Sequence, residues 1–236
     1  MHAPVTPFPA PPGTTRVLLI GGVFDPPHLG HTRSALDARA RTLGDDAWCV
    51  FVPAARSPFK PLGAIASALD RTQMMQLSIA DSPRCGVWTD EIDRAAWETT
   101  HNAGPGLSFW IDTVRRARES MHADADLRFI IGCDQAVSFH AWREARGILA
   151  LAQPIVLLRH EHDTPEALRE RLNAHAYWTD EELDHWCRWA QPSSVPGVNS
   201  TRIRAMLREQ QPPEAFANLL HPEVLAYIRQ HHLYSA

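Results

Sequence analysis

Four apolar residues in a row, Val17-Leu18-Leu19-Ile20, run directly into Gly21-Gly22-Val23-Phe24-Asp25-Pro26-Pro27-His28-Leu29-Gly30-His31. A helical pattern then takes over from Leu29 to Leu43. A buried strand that turns through two glycines into a helix constrains the chain to an α/β architecture, in which ligands bind where strands end. The glycines allow a ligand to approach the backbone closely. The helix start offers unpaired N–H groups and the positive end of a dipole, a ready anion site. His28 and His31 share a face of the first helical turn and suit phosphate oxygens. The stretch lacks the dinucleotide spacing G-x-G-x-x-G and the P-loop ending G-K-[ST]. It also lacks the glutamate and the four-residue histidine spacing of a zinc protease.

Further strands and helices alternate along the 236 residues, which suffice for one well-buried domain. Strands are expected at Ala47–Val52, Gly86–Thr89, Leu127–Gly132 and Pro154–Arg159. Helices are expected over residues 66–80, from near Ser108, after Thr179, from Ser200 and over Pro222–Tyr234, with a loop over 95–106. This gives a doubly wound parallel sheet with C-terminal helices, a single domain over residues 15–236. Residues 1–14 carry five prolines and no apolar periodicity, and are expected to form a disordered tail.

The net charge of −4 argues against broad nucleic-acid binding, while a small anion needs only a local cationic cluster. No basic-then-apolar leader opens the sequence, and no apolar run approaches the ~18 residues a membrane helix needs. Cys49, Cys85, Cys133 and Cys187 form no C-x-x-C pair and read as reduced residues of a cytoplasmic protein.

Three later stretches can reach the same crevice. Lys60, the only lysine, lies in a proline-fixed loop after the second strand, Ser57-Pro58-Phe59-Lys60-Pro61. Asp134 follows the Leu127–Gly132 strand, where it can accept from ribose or adenine or cap the next helix. Ser200-Thr201 opens a helix with free N–H groups, and Arg204, one turn on, can fork two phosphate oxygens.

The run Gly22-x-Phe24-Asp25-Pro26-x-His28-x-Gly30-His31 resembles the H-x-G-H signature of the nucleotidyltransferase superfamily, and most of all the bacterial nicotinate-mononucleotide adenylyltransferases. Ser108-Phe109-Trp110-Ile111-Asp112-Thr113 is similar to that family's S-Y-T-x-D-T, Phe129-Ile130-Ile131-Gly132-Cys133-Asp134 to its F-I-x-G-x-D, and Asn199-Ser200-Thr201-Arg202-Ile203-Arg204 to the end of its I-S-S-T-x-I-R. Trp142 matches its helix tryptophan. Phe59 stands where the family has histidine, and Trp110 where it has threonine. Class I aminoacyl-tRNA synthetases share the first motif, but their two-lysine loop has no counterpart here.

The resemblance implies a Rossmann-like nucleotidyltransferase fold and adenylyl transfer from ATP to nicotinate mononucleotide, a step of NAD biosynthesis. In that reading His28, His31, Lys60 and Arg204 act on the phosphates. Gly21, Gly22, Val23, Phe24, Gly132, Asp134, Ser200 and Thr201 complete the ATP site. Asp25, Ser108, Phe109, Trp110 and Trp142 hold the acceptor. A magnesium ion is expected to arrive with ATP, without a dedicated set of protein ligands. Phosphopantetheine or nicotinamide mononucleotide as acceptor, and a nucleotide sensor without turnover, are the alternatives. Trp186 and Trp189 suit packing or a subunit contact, which leaves room for a homo-oligomer.

Overall fold

The computed structural model describes residues 5–56, 63–104, 106–159, 163–195 and 197–235. In chain order the elements are β1 (Arg16–Gly22), α1 (Leu29–Thr42), β2 (Trp48–Pro53), α2 (Ala68–Ser78), β3 (Cys85–Val87), α3 (Asp90–His101), α4 (Trp110–Glu119), β4 (Asp126–Gly132), α5 (Cys133–Val137), α6 (Ala145–Leu151), β5 (Gln153–Leu158), α7 (Pro165–Asn173), α8 (Asp180–Arg188), β6 (Ala190–Pro192), α9 (Ser200–Arg208) and α10 (Pro222–Gln230). The six strands form one sheet in the order β3-β2-β1-β4-β5-β6, with every neighbouring pair parallel. Strand order reverses between β1 and β4, so the crevice at their C-terminal ends is the switch point at which such sheets bind ligands.

The two faces of β1 explain the layering. Val17 and Leu19 point into a core shared with α4, α6, α7 and α8, while Leu18 and Ile20 point into one shared with α1 and α2. Burial on both sides is what the unbroken apolar run in β1 requires. A third cluster, built on Ile203, Phe216, Val224 and Ile228, seats the C-terminal helices against Ala66 and Met74.

The structure departs from the sequence-based expectations at several points: α7 has no counterpart among them, α10 ends at Gln230 rather than Tyr234, and four further differences have a clear physical origin. The proline-rich segment packs from Thr6 onward. Phe8 meets Trp88 edge-on at 5.0 Å, Trp88 Nε1 donates to the Thr6 carbonyl at 3.2 Å, and Pro9 lies over Gly86. Prolines hold the segment extended, and its few apolar side chains find the otherwise open β3 edge. Residues 95–101, read as loop, continue α3. Asp90, Glu91 and Asp93 favour its first turn, Arg94 pairs with Asp90 at 2.8 Å, and left-handed Asn102 ends it. The helix expected from near Ser108, with Ser108 as its natural cap, is capped instead at Phe109. The short strand β6 went unrecognised because three residues, Ala190–Pro192, carry no periodicity. Elsewhere local rules hold: Thr179 and Glu182 form the capping box of α8, and Trp186 is fully buried against Phe139 and Trp178.

Candidate active site

A cleft of about 960 Å³ opens at the switch point. From the β1–α1 turn it is lined by Gly21, Gly22, Val23, Phe24, Asp25, His28 and His31, and from the start of α4 by Ser108, Phe109 and Trp110. Asp134 and Trp142 line it beyond β4, and Ser200, Thr201 and Arg204 from α9. Gly132 stands just behind the wall, where a Cβ would fall 2.6 Å from Asp134 Oδ1. Lys60 lies outside the described residues.

The turn after β1 is held from several directions. Buried Arg71 donates through Nη1 to the carbonyls of Val23 and Ala54, at 2.7 and 2.8 Å. The Asp25 carboxylate accepts from the Ile65 and Ala66 N–H groups at 2.7 and 3.1 Å and from the Tyr234 hydroxyl at 2.6 Å. These bonds make Asp25 a residue that fixes the turn, although it also borders the cleft. Arg204 Nη1 donates to the Asp25 carbonyl at 2.6 Å, and the Ser200 hydroxyl to that of Pro26 at 3.0 Å. The two ends of the sequence signature are thus tied to each other directly. Asn199, which replaces a serine of the resembling motif, caps α9 by accepting from Arg202 N–H at 2.9 Å.

His28 and His31 stack at 3.6 Å between ring centroids, and Phe24 meets His31 edge-on at 5.0 Å. The His28 backbone N–H donates to His31 Nδ1 at 3.2 Å, so in neutral His31 the proton sits on Nε2. Burial, followed by the nearby positive charge of Arg159, pushes His28 down to about 4. His28 is therefore an uncharged imidazole at neutral pH.

Asp134 does not cap α5. The Gly132 N–H donates instead to Gln135 Oε1 at 3.0 Å, which leaves the exposed Asp134 side chain on the cleft wall. Trp110 has its six-membered ring against Gly21, where a Cβ would lie 2.6 Å away, and its centroid 6.0 Å from Phe129. It is both core and cleft wall. Trp142 lines the cleft and packs at 4.8 Å on Phe139.

Sequence reading missed three cleft residues. Arg159 directly follows β5 at the ligand-binding end of the sheet, a placement that could have marked it. Arg143, beside Trp142, holds its guanidinium 4.8 Å from the Phe109 ring centroid. Glu91 is buried under Ser108 and accepts from the Thr113 hydroxyl at 2.7 Å; burial raises its carboxyl above the usual range. Cationic groups therefore stand along the cleft at α9, β5 and the aromatic end, a layout that suits a long polyanion carrying a ring.

Comparison with known proteins agrees in sequence and in fold. The cytidylyltransferase-like family profile matches residues 19–206. A protein of Trichlorobacter lovleyi described as "probable nicotinate-nucleotide adenylyltransferase" is 32% identical over 220 residues, covering 92% of this chain and 97% of its own. One of Chromobacterium violaceum with the same description is 30% identical over 230 residues, covering 93% and 98%. Among solved structures, the Plasmodium falciparum nicotinic acid mononucleotide adenylyltransferase complexed with NaAD superposes with a TM-score of 0.63 at 16% identity, covering 93% of this chain and 97% of that one.

Proposed function

Because the chain belongs to the nicotinate-nucleotide adenylyltransferase family, within the cytidylyltransferase-like proteins, we propose that it transfers the adenylyl group of ATP to nicotinate mononucleotide, releasing pyrophosphate and deamido-NAD. The observation that carries the reading is the convergence of the β1–α1 turn and the start of α9 on one cleft, joined by Arg204 and Ser200. An oxygen of the mononucleotide phosphate attacks the α-phosphorus of ATP. The new P–O bond forms as the bond to pyrophosphate breaks.

The nucleophile is already an anion, so the chain needs no general base. Its task is alignment and charge neutralisation. His28 and His31 donate to the phosphates around the reacting phosphorus. Arg204, Ser200 and Thr201 hold the leaving end, with Lys60 as a further cation. The glycine turn and Asp134 hold the adenosine, while Phe109, Trp110 and Trp142 hold the pyridine nucleotide.

Among the described residues no group of three or more His, Cys, Asp or Glu could hold a metal ion. A magnesium ion carried by the triphosphate and water fits this wall, in which Asp134 is the one exposed carboxylate among the described lining residues. When bound, it neutralises phosphate charge. All four cysteines are unpaired, which supports a reducing, cytoplasmic setting. No helix among the described residues is long and apolar enough to cross a membrane.

The test is pyrophosphate release from ATP with nicotinate mononucleotide, nicotinamide mononucleotide or phosphopantetheine as acceptor. Release with nicotinate mononucleotide is expected. Release only with phosphopantetheine would reassign the acceptor, and ATP binding without release from any of them would make the protein a sensor.

A further inference from the structure

The strands at the β3 edge hold a second chemical constellation, at the opposite end of the sheet from the cleft. Cys49 of β2 and Cys85 of β3 are direct partners in register. Parallel neighbours stand ~4.8 Å apart, within the ~4.4–6.8 Å between Cα atoms that a disulfide accepts. Cys49 is fully buried. Cys85 is half-buried, and its thiol donates to the Pro83 carbonyl at 3.6 Å.

Arg39 of α1 closes over the pair. It is 6% exposed, its Nη1 donates to the Pro83 carbonyl at 3.1 Å, and its buried Nε has no hydrogen-bond partner. No carboxylate pairs with it among the described residues. A buried guanidinium without a counter-anion is costly, and the two thiols lie within its field. On the same face Met75 of α2 and Ile79 just past its end share an apolar cluster with Cys49 and Cys85, and neither carries charge.

We infer that Cys49 and Cys85, under Arg39, form a dithiol site that hydroperoxides oxidise to a disulfide, with Cys85 attacking and Cys49 resolving. The asymmetry of the pair supports the roles. Cys85 is the less buried of the two and is held below the usual thiol range by its neighbour Cys49 and then by Arg39; fully buried Cys49 is pushed up. In the first step the Cys85 thiolate attacks the terminal oxygen of the hydroperoxide. The S–O bond forms, the O–O bond breaks, and the leaving alkoxide takes a proton from water to give the alcohol. In the second step Cys49 sulfur attacks Cys85 sulfur. The S–S bond forms, the S–O bond breaks, and hydroxide leaves as water with the Cys49 proton. The hydroperoxide is reduced by the two electrons the thiols lose.

The test uses the full reduced chain. Limiting iodoacetamide at neutral pH should alkylate Cys85 first, roughly tenfold or more ahead of Cys133 and Cys187. Burial raises both of those thiols, Cys133 to about 11. Stoichiometric hydrogen peroxide should remove two hydrogens from the intact mass, map a Cys49–Cys85 peptide link, and be reversed by dithiothreitol. In Cys49→Ser, dimedone should capture a sulfenic acid on Cys85. Arg39→Gln should slow Cys85 alkylation, and Arg39→Lys should restore it in part. If the arginine variants fail to fold, the wild-type and Cys49→Ser arms still decide. Alkylation spread evenly over the four cysteines, or peroxide products that leave Cys49 and Cys85 unlinked, would overturn the site.

Discussion

His28 is the residue at which burial and function pull against each other. Its imidazole lies beside an anion site yet is held down to about 4, first by burial and then by Arg159. In the proposed reaction it would meet phosphate as a neutral donor of one hydrogen bond. The same shift links stability to pH. The unfolded chain titrates this group at the ordinary value, 6.5, and the folded chain only near 4. Between those values the unfolded state binds the extra proton. The penalty is absent above the unfolded value and grows as pH falls, to about 3 kcal/mol. Urea midpoints at neutral pH and near the folded value should fall further apart in the wild type than in His28→Asn; equal gaps would contradict the assignment.

His31 differs from His28, because its Nδ1 is committed to the His28 N–H. That bond sets the orientation of its Nε2–H donor. A donor that acts on developing charge affects turnover more than ground-state binding. His31→Ala should lower kcat by roughly 10²–10³ with little change in ATP affinity. A near-normal kcat would remove His31 from the mechanism.

At the scale of elements, the proposed function gives the start of α4 the choice between pyridine nucleotides. Its cap, Phe109, makes no side-chain hydrogen bond to the first turn, so the helix start keeps donors and a positive dipole end beside the cleft. A carboxylate on the ring meets both, whereas a carboxamide brings an NH₂ that needs an acceptor. A hydrogen bond to a charged group contributes ~1.5–3 kcal/mol, so kcat/KM should favour the acid mononucleotide by roughly ten- to a hundred-fold. Trp110, larger than its counterpart in the family, does not close this pocket, because Gly21 leaves room for its ring against β1. Equal kcat/KM for acid and amide would contradict the role given to α4. The glycine-rich stretch around Gly104 and Gly106 reads as a long loop, but α3 runs on to a local stop at left-handed Asn102, and only the shifted cap at Phe109 has a cause distant in sequence. Ser108 is drawn off its capping role by Ala55 N–H, which donates to its hydroxyl at 3.3 Å.

Across the whole molecule, what could be read in advance follows from how local each signal is. The β1–α1 turn, the α9 start and five of the six strands rest on short-range patterns, and the structure brings the first two together as expected. Arg71, Glu91 and Tyr234 could not be found that way, since each acts on a partner distant in sequence. Tyr234 reaches Asp25 across 209 positions. The proposed reaction asks these contacts to hold a cleft that aligns two anionic substrates for direct transfer, with no covalent adenylyl-protein between them. The most direct measurement is the stereochemistry at the α-phosphorus, with ATP made chiral there by sulfur substitution and nicotinate mononucleotide as acceptor. A single in-line displacement inverts the configuration, and inversion is the expected result. Retention would require two displacements through a covalent adenylyl-protein and would contradict catalysis by alignment alone.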